Sequence, residues 1–163
     1  HFYTPERINL RTGVGRAWVM VYCPGDFNEN TVIDAMNRGD YYPTLGVLFE
    51  SIVFENGTLR VRIKAEKDRK YTIRFVATKR GFSRKVRTLD LTDDRPRPPR
   101  TVSLYSDEIG QTVFECSGPE AEYTMQPDDL YIRAAAVSDK PVRCRSSRHP
   151  AFETAWTQPY KIN

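Results

Sequence analysis

The chain is poor in the residues that carry most chemistry. Among its 163 residues it has only two histidines, His1 and His149, and three cysteines, Cys23, Cys116 and Cys144. The histidines stand far apart, and no HExxH, GxSxG or phosphate-loop glycine pattern occurs. The common nucleophile and zinc-hydrolase arrangements therefore have no foothold. An odd cysteine count without a CxxC pair rules out a complete disulfide framework and gives no zinc signature. The thiols read as small buried hydrophobes, with a Cys116–Cys144 bridge as the alternative in an exported protein. Long apolar runs are missing too: the stretch around Val47–Phe49 is strand-sized, far short of the roughly 18 residues needed to cross a bilayer. His1 is not a start methionine and no secretory leader follows it, so the chain reads as a piece of a longer protein.

Cations are absent from one long stretch. Between Thr101 and Ile132 there is no Lys or Arg, while Asp107, Glu108, Glu115, Glu120, Glu122, Asp128 and Asp129 supply seven carboxylates. The missing positive charge sits upstream: Arg60–Arg100 holds 15 Lys and Arg against 5 Asp and Glu. The overall +4 thus hides a basic and an acidic half.

Hydrophobic spacing then organises the chain. Ala17–Val21 is a short apolar strand ended by Pro24-Gly25. Val32, Ile33, Ala35 and Met36 make one helical stripe, capped by Asn28 or Asn30 and stopped by Gly39. From Thr44 onward the period becomes two. Ser51–Glu55 and the alternation Leu59, Val61, Ile63, Ala65 flank Asn56-Gly57, a strong hairpin signal because both residues tolerate positive φ. Further strands are expected at Tyr71–Phe75, Ser83–Leu89, Thr101–Tyr105, Gln111–Cys116, Ala121–Met125, Leu130–Val137 and Thr154–Lys161. The proline-rich run 90–100 is expected to connect two sets of strands. The pattern predicts a mainly β fold, an antiparallel, immunoglobulin-like β-sandwich over 47–163, preceded by a short α/β segment with one helix over 1–46.

Outward-facing cations of the basic half, Arg60, Arg62, Lys64, Arg74 and Arg87, are the candidate anion-binding face, provided that their strands are neighbours. Tyr71 and Phe75 alternate inward and belong to the core, which argues against a nucleic-acid platform. Pairing with the acidic strands is the competing reading of the same cations.

Three segments, Gly15-Arg16-Ala17-Trp18-Val19, Ala35-Met36-Asn37-Arg38-Gly39-Asp40-Tyr41-Tyr42-Pro43-Thr44-Leu45-Gly46 and Ala155-Trp156-Thr157-Gln158-Pro159, occur in this order over residues 15–159. Together they resemble the C-terminal region of PHP-superfamily (polymerase and histidinol phosphatase) hydrolases. There a glycine-arginine strand, a helix and the turn that follows it close the catalytic barrel, and a β-sandwich comes after. Pro43 and the Arg/Ser-rich run 143–149 depart from that pattern. The resemblance implies a non-catalytic sandwich packed on the upstream barrel of a metal-dependent phosphoesterase. In the parent, manganese, zinc or iron would activate a hydroxide. This chain alone is expected to hold no cofactor. His1 falls where the family's last metal-motif histidine stands, and is the one metal ligand the resemblance carries over. Trp156 is expected to anchor the closing strand in the core. With the barrel absent, residues 1–46 should leave an apolar patch and the chain should self-associate; neither nucleic acid nor membrane is an expected partner. The alternative is a free-standing sandwich module that binds carbohydrate or an anionic ligand.

Overall fold

The computed structural model of the chain describes residues 17–91, 100–142 and 152–162. Within them lie eleven strands and one helix in the order β1 (Trp18–Val21), α1 (Glu29–Arg38), β2 (Tyr41–Thr44), β3 (Phe49–Glu55), β4 (Thr58–Ile63), β5 (Tyr71–Lys79), β6 (Arg87–Leu91), β7 (Arg100–Leu104), β8 (Gln111–Ser117), β9 (Glu120–Thr124), β10 (Asp129–Pro141) and β11 (Phe152–Trp156). A six-stranded antiparallel sheet, β1-β2-β11-β10-β5-β8, faces a three-stranded one, β3-β4-β9, and β6-β7 form a separate ribbon. The protein is a mainly β, sandwich-like fold with one helix.

The core is what period-two alternation requires. Leu59, Val61 and Ile63 of β4 point inward and meet Tyr71, Ile73, Phe75 and Ala77 of β5 and Ile132, Ala134 and Ala136 of β10. Alanines at two inward positions of β10, Ala134 and Ala136, and at Ala155 let the central strands approach the bulkier β4. The Asn56-Gly57 turn has both residues at positive φ (49° and 75°) and joins β3 to β4 in the expected hairpin.

Helix α1 is closed at both ends by its own sequence. Asn28 accepts from Thr31 N at 3.1 Å while Thr31 Oγ1 takes the amide of Asn28 at 3.0 Å, a reciprocal capping box. Gly39, at φ 83°, terminates it in the left-handed conformation.

Three expectations are corrected here. Tyr41–Thr44, expected as a turn after the helix, is a strand between β1 and β11. Its neighbour pairing lets Pro43 sit opposite Val19 at a position that needs no ladder donor. The run 90–100 does not link two sets of strands. Leu91 and Arg100 are cross-strand partners, so the run closes a β6-β7 ribbon that pairs with neither sheet. Trp156 is only half-buried and alternates with the fully buried Ala155, so the alanine, not the tryptophan, fills the core.

The boundary expected between residues 46 and 47 falls at a corner inside a continuous framework. Thr44, fully buried, donates to Val47 O and accepts from Gly46 N at 2.9 Å, and Leu45 N reaches Thr154 O at 2.7 Å. The chain passes here from the large sheet to the small one. Gly46 has φ 139°, and a Cβ there would lie 2.3 Å from Cδ of Glu153, whose carboxylate pairs with Lys140 at 3.1 Å. Gly46→Ala is expected to cost more than about 1 kcal/mol through backbone strain and displacement of that carboxylate. A thermal melt checks it; an unchanged midpoint would show that the corner relaxes freely.

Candidate functional site

The five cations singled out in the sequence do not form one face. Arg60 and Arg62 point away from the core on β4, in the small sheet. Arg74 is exposed on β5, in the large sheet, whose inner residues pack against those of β4. The two outer surfaces therefore lie on opposite sides of the sandwich. Lys64 follows the end of β4, with its amide bonded to Leu48 O at 2.8 Å, and Arg87 is exposed on the ribbon. The proviso of neighbouring strands fails because β4, β5 and β6 belong to three different sheets.

Three of these arginines are also neutralised across the ladder. Arg60 sits opposite Glu122 and Arg62 opposite Glu120, with N–O distances of 2.5 and 3.0 Å. Arg74 pairs with Glu115 on β8. Cross-strand pairing is thus where the charge asymmetry of the two halves goes. All six side chains are about half exposed, so each pair contributes to register more than to stability. An anion approaching Arg60, Arg62 or Arg74 meets a carboxylate beside it.

The acidic half also builds one buried charge. Asp129, whose side chain is fully inaccessible, accepts from Gln126 N at 2.7 Å and from Tyr123 Oη at 3.1 Å through Oδ2. Its Oδ1 faces Lys79 Nζ at 2.7 Å, off the hydrogen-bond direction, and the same ammonium reaches Asp128 at 3.0 Å. The two carboxylates, Asp129 foremost, hold the Lys79 pKa above its ordinary value; Lys79 in turn holds that of Asp128 down. Burial, aided by the bond to Asp129, raises the Tyr123 pKa. The cluster ties the end of β5 to the β9–β10 turn.

His1, His149 and Cys144 lie outside the described residues. Cys23 and Cys116 are free, half-buried thiols. Among the described residues no group of three or more His, Cys, Asp and Glu side chains is arranged to hold a metal ion.

Sequence reading passed over one cluster of cations. Tyr160 and Ile132 exchange both backbone hydrogen bonds at 2.8 Å, an antiparallel bridge that sets Lys161 opposite Tyr131 and Pro159 opposite Arg133. With Leu130 these residues line an open cleft of about 580 Å³. Arg133 is exposed, and its outward neighbours Val76 and Ala135 are nearly covered and uncharged. Among the described residues no carboxylate lies within 4.0 Å of Arg133 or Lys161. The available signal was that Arg133 is the first cation after the cation-free stretch and stands at a polar position of an alternating strand.

At the other end of the large sheet the surface is apolar. Every residue of β1 (Trp18, Val19, Met20, Val21) is apolar, and Trp18 and Val19 are 42% and 47% exposed. Tyr22, Phe27, Ile33 and Met36, on the loop and helix that follow, are exposed as well, whereas Ala35 alone of α1 is buried.

Compared with known proteins, the chain matches no family model, no curated protein and no solved structure.

Proposed function

We propose that this chain is a non-catalytic β-sandwich module that packs through β1 and α1 on a PHP-like, metal-dependent phosphoesterase barrel and completes it. The observation that carries the reading is β1. Successive strand residues point to opposite faces, so an all-apolar strand offers apolar side chains to both. Such strands suit sheets covered on both sides, as parallel sheets in α/β proteins are. Among the described residues nothing covers either face of β1, and one edge is paired, with β2. Contiguous apolar surface of this kind is normally covered by a partner. The order of the three PHP-like segments names the kind of partner, and in that arrangement the divalent metal and its ligands belong to the barrel.

The purified chain is expected to self-associate reversibly through this end, read as a concentration-dependent rise in sedimentation coefficient. Val19→Glu and Ile33→Glu should each return it to a monomer. Val53→Glu, an exposed apolar position on β3 in the other sheet, should not. Association indifferent to the first two substitutions, or a monomer that binds no apolar dye, would sink the proposal. With manganese, zinc or iron and an aryl phosphate the chain should show background turnover only.

The alternative reading, a module for an anionic ligand, is favoured by the cleft between Arg133 and Lys161.

A further inference from the structure

We infer that this cleft is a binding site for a phosphomonoester, a phosphate group carried on a small apolar or ring-bearing body. The first ground is the contrast in charge. Arg60, Arg62 and Arg74 each face a glutamate on the adjacent strand, whereas Arg133 and Lys161 have no described carboxylate within 4.0 Å. Two cations line one concavity with no described carboxylate beside them, where a fold that pairs its strand cations elsewhere had the option of a carboxylate at Val76 or Ala135.

The second ground is donor geometry. The guanidinium of Arg133 offers a planar fork suited to two oxygens of one phosphate. Lys161, one row along the bridge, adds a point charge. Tyr131 supplies a third kind of donor. Its Oη accepts from Thr78 Oγ1 at 3.1 Å, and Thr78 Oγ1 is itself fixed by Gly110 N at 2.9 Å, so the phenolic proton is left for a ligand oxygen. A fork, an ammonium and a hydroxyl match a tetrahedral group with three terminal oxygens better than a carboxylate with two.

The third ground is the wall. Leu130, Pro159 and the ring of Tyr131 give the cleft an apolar lining beside its cations. Its volume falls in the range of small-molecule sites. These two features select an organic phosphate over the inorganic ion. Because β10 and the bridged terminal segment hold every lining residue, the site does not depend on what covers β1. It fails or stands separately from the barrel-packing proposal.

The test is an NMR titration of the whole chain with phenyl phosphate, inorganic phosphate and benzoate. Saturable shifts are expected at Tyr131, Arg133 and the amides of 160–161, with phenyl phosphate the tightest of the three. Arg133→Gln should weaken it at least tenfold, and Lys161→Gln should weaken it several-fold if Arg133→Gln fails to fold. Arg74→Gln removes an arginine that already has its glutamate and should leave the affinity unchanged. Shifts that do not saturate, or that Arg74→Gln abolishes equally, would overturn the site. Benzoate binding as tightly as phenyl phosphate would overturn the assignment to a phosphomonoester.

Discussion

Replacing Phe75 with alanine is expected to lower folding stability by about 3–5 kcal/mol, a large part of the 5–15 kcal/mol typical of a whole domain. Phe75 is the largest fully buried side chain among the described residues. Its ring centroid lies 5.7 Å from that of Tyr123 and 6.1 Å from that of Phe114, and those two rings are 6.4 Å apart. Phe75 and Phe114 belong to the large sheet and Tyr123 to the small one, so the trio is a bolt between the layers. Its surroundings are strand side chains with hydrogen-bonded backbones on both sides, which leaves little room for collapse into the cavity. Urea unfolding reads the loss as a lower midpoint at constant slope. Phe75→Leu, which keeps most of the volume, should lose distinctly less. Equal losses from the two would mean that ring geometry rather than filled volume holds the layers together.

The core was legible because its signal is local. Leu59, Val61 and Ile63, and Tyr71, Ile73 and Phe75, announce their inward faces by alternation alone, and each is buried. The caps of α1 and the Asn56-Gly57 turn were legible for the same reason. What alternation cannot supply is the neighbour. It gives Arg60, Arg62 and Arg74 an outward direction but not a sheet, and their assignment to two sheets with glutamate partners follows from long-range pairing of β4 with β9 and β5 with β8. Tyr41–Thr44 was opaque because a proline and a short length hide a strand whose pairing comes from Val19 and Ala155. The Arg133–Lys161 cleft was opaque because it arises from a single bridge between segments distant in sequence. Charge asymmetry, by contrast, was legible as a problem, and cross-strand pairing was one of the two answers it allowed.

Lys79→Met is expected to cost about 3 kcal/mol near neutral pH, out of proportion to a residue on the rim of the fold. The lysine itself is partly exposed, so its own burial explains little. The cost arises at Asp129, whose fully inaccessible carboxylate loses the one cation that reaches it among the described residues. Two hydrogen bonds remain to it, from Gln126 N and Tyr123 Oη, which is why the lower end of the usual range for a stranded buried charge applies. Methionine keeps much of the lysine stem, so packing changes little. The pH dependence separates charge from shape. In the unsubstituted chain Asp128 has a lowered pKa, so its share of the stabilisation is present above the ordinary carboxylate value of 3.8 and is lost as pH falls through the folded value. Lys79 has a raised pKa, so its share is complete below its ordinary 10.5 and is lost only as pH rises through a still higher folded value. Between about pH 5 and 9 the difference between the unsubstituted chain and the variant should therefore be flat, and below pH 4 it should narrow as Asp128 takes up its proton. Because Tyr123 also packs on Phe75, Lys79→Met and Phe75→Ala share a neighbour, and their combined loss should fall short of the sum. A gap between the unsubstituted chain and the variant that is the same at about pH 3 and pH 7 would show that the lysine acts through its stem rather than its charge.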